Sequence, residues 1–125
     1  MVRFQQLKDA LAVYSQHKTK AVRRLVMLTT RENLWVYIST LLEERDCFAY
    51  ELQKAVQERF GVLMASVTAY VLLYKMEREG LVARSTERRE GHRPTRKYYA
   101  ITARGRAALA DARSYLQVLT ASLGS

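Results

Sequence analysis

Arg88, Arg89, Arg93, Arg96 and Lys97 crowd one short stretch of the chain, with Gly91, His92 and Pro94 among them. Guanidinium and ammonium groups at this density suit the charge-assisted hydrogen bonding of phosphate oxygens. Pro94 and Gly91 mark the stretch as a turn, where neither harms a strand ladder. Other chemistry is poorly supplied. His17 and His92 are the only histidines and have no ligand spacing, so no metal site is expected. No Ser-His-Asp order and no phosphate-cradling glycine loop occurs. Glu43-Glu44 and the Glu77, Glu79 pair read as solvated helix ends. An enzyme is not expected, and no cofactor is called for.

Two β-prone runs must position the cations. Leu81, Val82, Ala83 and Arg84 precede them, and Lys97, Tyr98, Tyr99, Ala100 and Ile101 follow, which predicts a hairpin. An apolar helical pattern over about 66–79 leads straight into it, with Ala69, Leu72, Leu73 and Met76 on the core side and Gly80 as the stop. A helix followed by a basic hairpin is the layout of a winged helix. The helix is expected in the DNA major groove and the wing on phosphates or in the minor groove. Ser66, Thr68, Tyr70, Tyr74 and Lys75 are the polar candidates on the reading face, and Val67 and Val71 suit thymine methyls. Arg, Asn and Gln are missing from this helix before Arg78, so base readout is expected to be modest, with A·T-rich shape contributing. The competing reading makes Tyr70 and Tyr74 half-buried packing groups.

Charge supports a polyanionic partner. The 125 residues carry 21 Lys and Arg against 12 Asp and Glu, a net +9. The excess sits in two places. Residues 84–106 hold eight basic residues opposed only by Glu87 and Glu90, and residues 1–30 hold six opposed only by Asp9. Cys47 is the single cysteine, so no internal disulfide forms, which fits a cytoplasmic protein. A redox role for this lone thiol is the less favoured reading. No signal-peptide core or bilayer-spanning run is apparent, so no membrane partner is expected.

The remaining elements are helical. Phe4, Leu7, Leu11, Tyr14, Ala21, Leu25 and Leu28 follow a heptad-like seam, either on one helix or on two broken near 17–20. Thr29 and Glu32 have the spacing of a capping box for a helix carrying Leu34, Trp35, Ile38, Leu41 and Leu42. A further helix over about 48–60 places Leu52, Ala55, Val56 and Phe60 inward and ends at Gly61. Tyr50 at its start is positioned to meet a phosphate, reinforced by the helix dipole. A last helix from about 102 carries a second seam of Leu109, Ala112, Leu116, Leu119 and Leu123. Both seams are assigned to dimerisation. Trp35 reads as core, or less favourably as one wall of an effector pocket with Tyr37 and Tyr115.

At this point the residues resemble the PadR family of transcriptional regulators, over about 35–109. Ala49-Tyr50-Glu51-Leu52 is similar to the start of the family's second core helix. The run Thr68-Ala69-Tyr70-Val71-Leu72-Leu73 through Glu77-Arg78-Glu79-Gly80-Leu81-Val82 resembles its recognition helix. Arg96-Lys97-Tyr98-Tyr99-Ala100-Ile101-Thr102-Ala103-Arg104-Gly105 resembles its second wing strand. Ser66-Val67 replaces the family's Pro-Gly, and Val71 its Pro, so the operator preference is not carried over.

The resemblance implies a homodimer built through terminal helices, sequence-specific double-stranded DNA binding, usually as a repressor, and in some members a small aromatic effector at the dimer interface. The expected fold is mainly α (α+β): a winged helix-turn-helix core over 31–102 with a two-stranded wing, an N-terminal helical extension over 1–30 and a C-terminal dimerisation helix over 103–125. Two other functions remain open. One is an architectural or plasmid-partition protein that coats DNA, the other an RNA- or protein-binding winged-helix module with Tyr98 and Tyr99 exposed and stacked.

Overall fold

The computed structural model describes residues 4–87 and 96–124. Among these, the order is α1 (Leu7–Tyr14), α2 (Lys20–Leu28), a 3-10 turn (Arg31–Asn33), α3 (Leu34–Glu44), β1 (Cys47–Phe48), α4 (Ala49–Phe60), α5 (Ser66–Arg78), β2 (Val82–Glu87), β3 (Arg96–Ile101) and α6 (Ala103–Leu123). The protein is mainly helical, with a winged helix-turn-helix core.

The core forms where the apolar periods predict. Ile38 and Leu42 of α3, Leu52 and Val56 of α4, and Leu73 and Met76 of α5 are fully buried together. Each such side chain contributes about 1.5–3 kcal/mol by leaving water. The strands lie in the order β1-β3-β2, all antiparallel. Pairing of Val82 with Ile101 and of Arg84 with Tyr99 sets the hairpin register. β1 is an addition to the expected two-stranded wing: Cys47 pairs with Tyr99 and Phe48 with Tyr98. Two residues carry no hydrophobic period, so this strand leaves no trace in the sequence.

The helix ends explain how the wing is aimed. α5 closes in a Schellman motif: Gly80 takes φ 79°, its N–H donates to Glu77 O at 3.0 Å, and the Leu81 N–H donates to Met76 O at 2.9 Å. The chain thereby reverses directly into β2. At the other end of the hairpin, Thr102 caps α6 by accepting from the Gly105 N–H at 2.9 Å, and its own hydroxyl donates to Gly80 O at 2.6 Å. One side chain thus ties the start of α6 to the end of α5. A Thr102→Val variant keeps the shape and loses both bonds. It is expected to cost about 1–2 kcal/mol, and Thr102→Ser is expected to restore most of that in thermal denaturation.

Gly105 is buried in the first turn of α6. A Cβ built on it would lie 2.1 Å from Leu81 O and 2.8 Å from Ile101 Cγ1. Only a glycine lets α6 approach the hairpin base this closely.

Three local expectations are corrected. Thr29 and Glu32 do not form a capping box. The Thr29 hydroxyl turns back to Leu25 O at 2.9 Å and that of Thr30 to Val26 O at 2.7 Å, so both finish α2, and α3 begins at Leu34 after the 3-10 turn. The carboxylate that reaches back over a helix start is Glu51, which accepts from the Phe48 N–H at 3.1 Å at the head of α4.

The N-terminal seam takes the broken one of its two expected forms, and part of it is used within the protomer. The chain breaks between α1 and α2, where His17 Nδ1 accepts from the Thr19 N–H at 3.0 Å. Phe4 and Tyr14 pack edge-on within the chain at 5.6 Å, Leu11 packs on the core, and Leu7 is exposed at its edge. The folded protomer thus uses Phe4, Leu11 and Tyr14 itself.

Leu109 is the third correction. It has no exposed surface, because α6 lies there against α3 and β3. It has no area to offer a second copy. Ala112 is half-buried, while Tyr115, Leu116, Val118, Leu119 and Leu123 are exposed. Arg113 of α6 pairs with Glu43 of α3 at 3.0 Å.

Candidate nucleic-acid interface

α5 buries one stripe and presents the opposite one. Ala69, Leu73 and Met76 face the core. Val67, Val71, Tyr74 and Arg78 recur at i, i+4, i+7 and i+11 and form the centre of the outward face. Tyr70 flanks this row on one side, and Thr68 and Lys75 flank it on the other, all exposed. The packing alternative for Tyr70 and Tyr74 therefore fails within the chain: more than half of each is in water.

Two polar groups of the face have partners. The Ser66 hydroxyl donates to Gln53 Oε1 at 3.0 Å and fixes the start of α5 on α4. Arg78 Nη1 donates to the Tyr74 hydroxyl at 3.0 Å, with the guanidinium 5.7 Å from the ring centroid. Tyr50 is exposed in the first turn of α4, where the helix dipole favours an anion. Leu63, just ahead of α5, is exposed between buried Val62 and Met64. It escaped notice in the sequence, although the in-out-in alternation of an extended segment was there to find.

The wing is braced against α5. Arg84 on β2 pairs with Glu77 on α5 at 3.3 Å. Lys97 on β3 is exposed and lies opposite Thr86. Arg96 belongs to β3 opposite Glu87. Arg88, Arg89 and Arg93 lie outside the described residues. Tyr99 is 6% exposed, and burial raises its hydroxyl pKa. Tyr98 packs edge-on against Phe48 at 5.6 Å. The pair is thus not the open stacking platform that an RNA-binding reading requires.

The Cys47 thiol is buried, and that burial pushes its pKa up, which opposes the thiolate a redox sensor needs. Trp35 packs at the edge of the core. Tyr37 lies on Phe60 at 5.1 Å, and its hydroxyl donates to Thr29 O, whereas Tyr115 is exposed on α6. Trp35 thus follows its favoured reading as core, and the three do not form the alternative pocket wall within the chain. An open groove of about 1210 Å3 lies elsewhere, between α1, α2 and the turn before α5, lined by Leu11, Val26, Met27, Leu34, Val62 and Met64 among others. Among the described residues no group of His, Cys, Asp and Glu is placed to hold a metal ion, and no helix is long and apolar enough to cross a membrane.

Known proteins share this arrangement. A PadR family transcriptional regulator from Eggerthella lenta superposes with a TM-score of 0.70 at 27% identity, covering 83% of this chain and 89% of its own. A PadR family transcription regulator from Clostridium difficile gives 0.62 at 28% identity, over 68% of this chain and 88% of its own. A PadR-like transcriptional regulator from Bacillus cereus, at 23% identity and a TM-score of 0.65, shares the fold over 78% of this chain and 91% of its own. No curated protein matches. The model of the transcriptional regulator PadR-like family matches residues 38–111, which take in α4, α5 and the wing strands. With α4, α5, the wing strands and more than half of its length matched, the chain belongs to the PadR-like family of transcriptional regulators.

Proposed function

We propose that the protein is a homodimeric, sequence-specific double-stranded DNA-binding repressor of the cytoplasm, with α5 in the major groove and the basic wing on phosphates or in the minor groove. The observation that carries this reading is the outward face of α5 braced by the Arg84–Glu77 pair against β2 of the wing, and the sequence between β2 and β3 adds Arg88, Arg89 and Arg93. Tyr50, Lys75 and Lys97 add exposed phosphate donors, and Arg96 adds a further cation to the β3 sequence. The exposed row Leu116, Leu119 and Leu123 on α6 supports pairing with a second copy, joined by Leu25 and Leu28 of α2. A small aromatic effector held between protomers belongs to the same proposal.

The test is selection of bound fragments from a random duplex pool at fixed salt. The expected result is an inverted repeat with half-sites roughly 34 Å apart. The double variant Leu116→Glu, Leu119→Glu is expected to sediment as a monomer and to lose the repeat. The second reading is a coating protein of architectural or partition type. It draws support from the scarcity of bidentate base readers on α5, and a footprint that spreads with concentration would establish it.

A further inference from the structure

If α5 enters the major groove, its N-terminal half meets the base edges. The centre of that half is aliphatic. Val67 is 74% exposed and Val71 47%, with Leu63 exposed just ahead of them. The polar groups nearby are engaged or lie off the centre: the Ser66 hydroxyl is on Gln53, and the Tyr74 hydroxyl is on Arg78. No Arg, Asn or Gln precedes Arg78 in this helix, so the usual bidentate readers of guanine and adenine are missing from it. Lys75 flanks the aliphatic row on α5 and Lys97 is exposed on β3, cations suited to phosphates rather than bases.

The apolar group that the major groove offers is the pyrimidine C5-methyl. Resting on the DNA-binding reading above, we infer that Val67 and Val71 read C5-methyl groups, supplied either by thymine or by 5-methylcytosine, and set the sequence preference of the interface. The match is geometric as well as chemical. Side chains at i and i+4 stand about 5–6 Å apart, and base pairs rise about 3.4 Å per step, so the two valines reach methyls one or two steps apart. Each methyl taken out of water against a valine is worth about fourfold in affinity. A cytosine at a contacted position therefore binds better once it is methylated, which makes the face sensitive to DNA methylation.

The experiment compares duplexes of about two helical turns, roughly 21 base pairs, binding the full chain at one salt concentration. The probes are alternating dA·dT, the same duplex with dU for dT, alternating dG·dC, and the same duplex with 5-methyl-dC. Expected is a loss of about sixteenfold for each bound protomer on removing the thymine methyls, two contacts at about fourfold apiece, and a gain of similar size on adding methyls to cytosine. The double variant Val67→Ser, Val71→Ser, which touches only exposed positions, is expected to erase both differences while the phosphate contacts keep the binding salt-dependent. A dU effect alone assigns thymine as the methyl source, and a 5-methyl-dC effect alone assigns methylated cytosine. Equal binding of both members of each pair overturns this inference and leaves DNA binding standing. Differences that persist in the double variant overturn the assignment to these valines. Failure to bind any of the duplexes overturns the inference together with the reading beneath it.

Discussion

Gly105→Ala lowers the thermal midpoint by roughly 10 °C. Two effects of opposite sign meet at this position. Alanine is the better helix former by about 1 kcal/mol, which by itself would stabilise α6. Its Cβ, however, would stand 2.1 Å from the Leu81 carbonyl oxygen and 2.8 Å from Ile101 Cγ1. The first obstacle is backbone and cannot rotate away. Leu81 O already accepts from the Thr102 N–H at 3.1 Å, so moving it disturbs the base of the wing. Overpacking of this kind costs about 3 kcal/mol or more, and the net loss is about 2 kcal/mol. Gly105→Val costs more again and is expected to leave α6 undocked, detected as loss of the far-ultraviolet helical signal together with the cooperative transition. A midpoint at or above the parent's in Gly105→Ala would mean that α6 does not approach the hairpin base as described.

DNA affinity falls steeply with salt, and the wing sets the steepness. If about six phosphates are neutralised per dimer, log affinity falls against log salt with a slope of about −5, which is a loss of about a thousandfold between 50 and 200 mM. The double variant Arg93→Ala, Arg96→Ala is expected to weaken all duplexes alike and to flatten that slope by about 0.9 for each phosphate contact removed. Tyr70→Ala is expected to act differently. It leaves the slope in place and narrows the gap between the selected site and random duplex, because Tyr70 lies on the outward face of α5 rather than among the phosphate donors. Titrations at four salt concentrations separate the two effects. An unchanged slope in the arginine variant would remove the wing from the interface.

The winged core was legible because its signals are local. Leu52 and Val56, or Ala69, Leu73 and Met76, recur at helical spacing, and they are buried in the structure. Gly61 and Gly80 stop their helices at positive φ, as glycine after an apolar period predicts. Arg96 to Thr102 declared a basic strand by composition alone, and the register of the hairpin agrees with it. The outward face of α5 was legible in the same way, since the residues left over from the buried stripe must face away from it.

The sequence by itself thus determined the order of helices and hairpin, the identity of the core and the face of α5 that looks outward. Each of these depends on neighbours within about two helical turns. The tertiary structure decided what covers each apolar row. Phe4, Leu7, Leu11 and Tyr14 read as one seam for a second copy. In the fold Phe4 and Tyr14 meet each other, and Leu11 meets the core. Leu109 and Leu119 belong to one heptad pattern, yet the first is sealed against α3 and β3 while the second stays exposed. The two-residue strand β1 and the close approach of Gly105 to Leu81 were likewise settled by distant partners. A hydrophobic period reports that one side of a helix prefers to leave water. Which surface receives it depends on contacts between residues far apart in the chain, and those exist only once the whole core has closed.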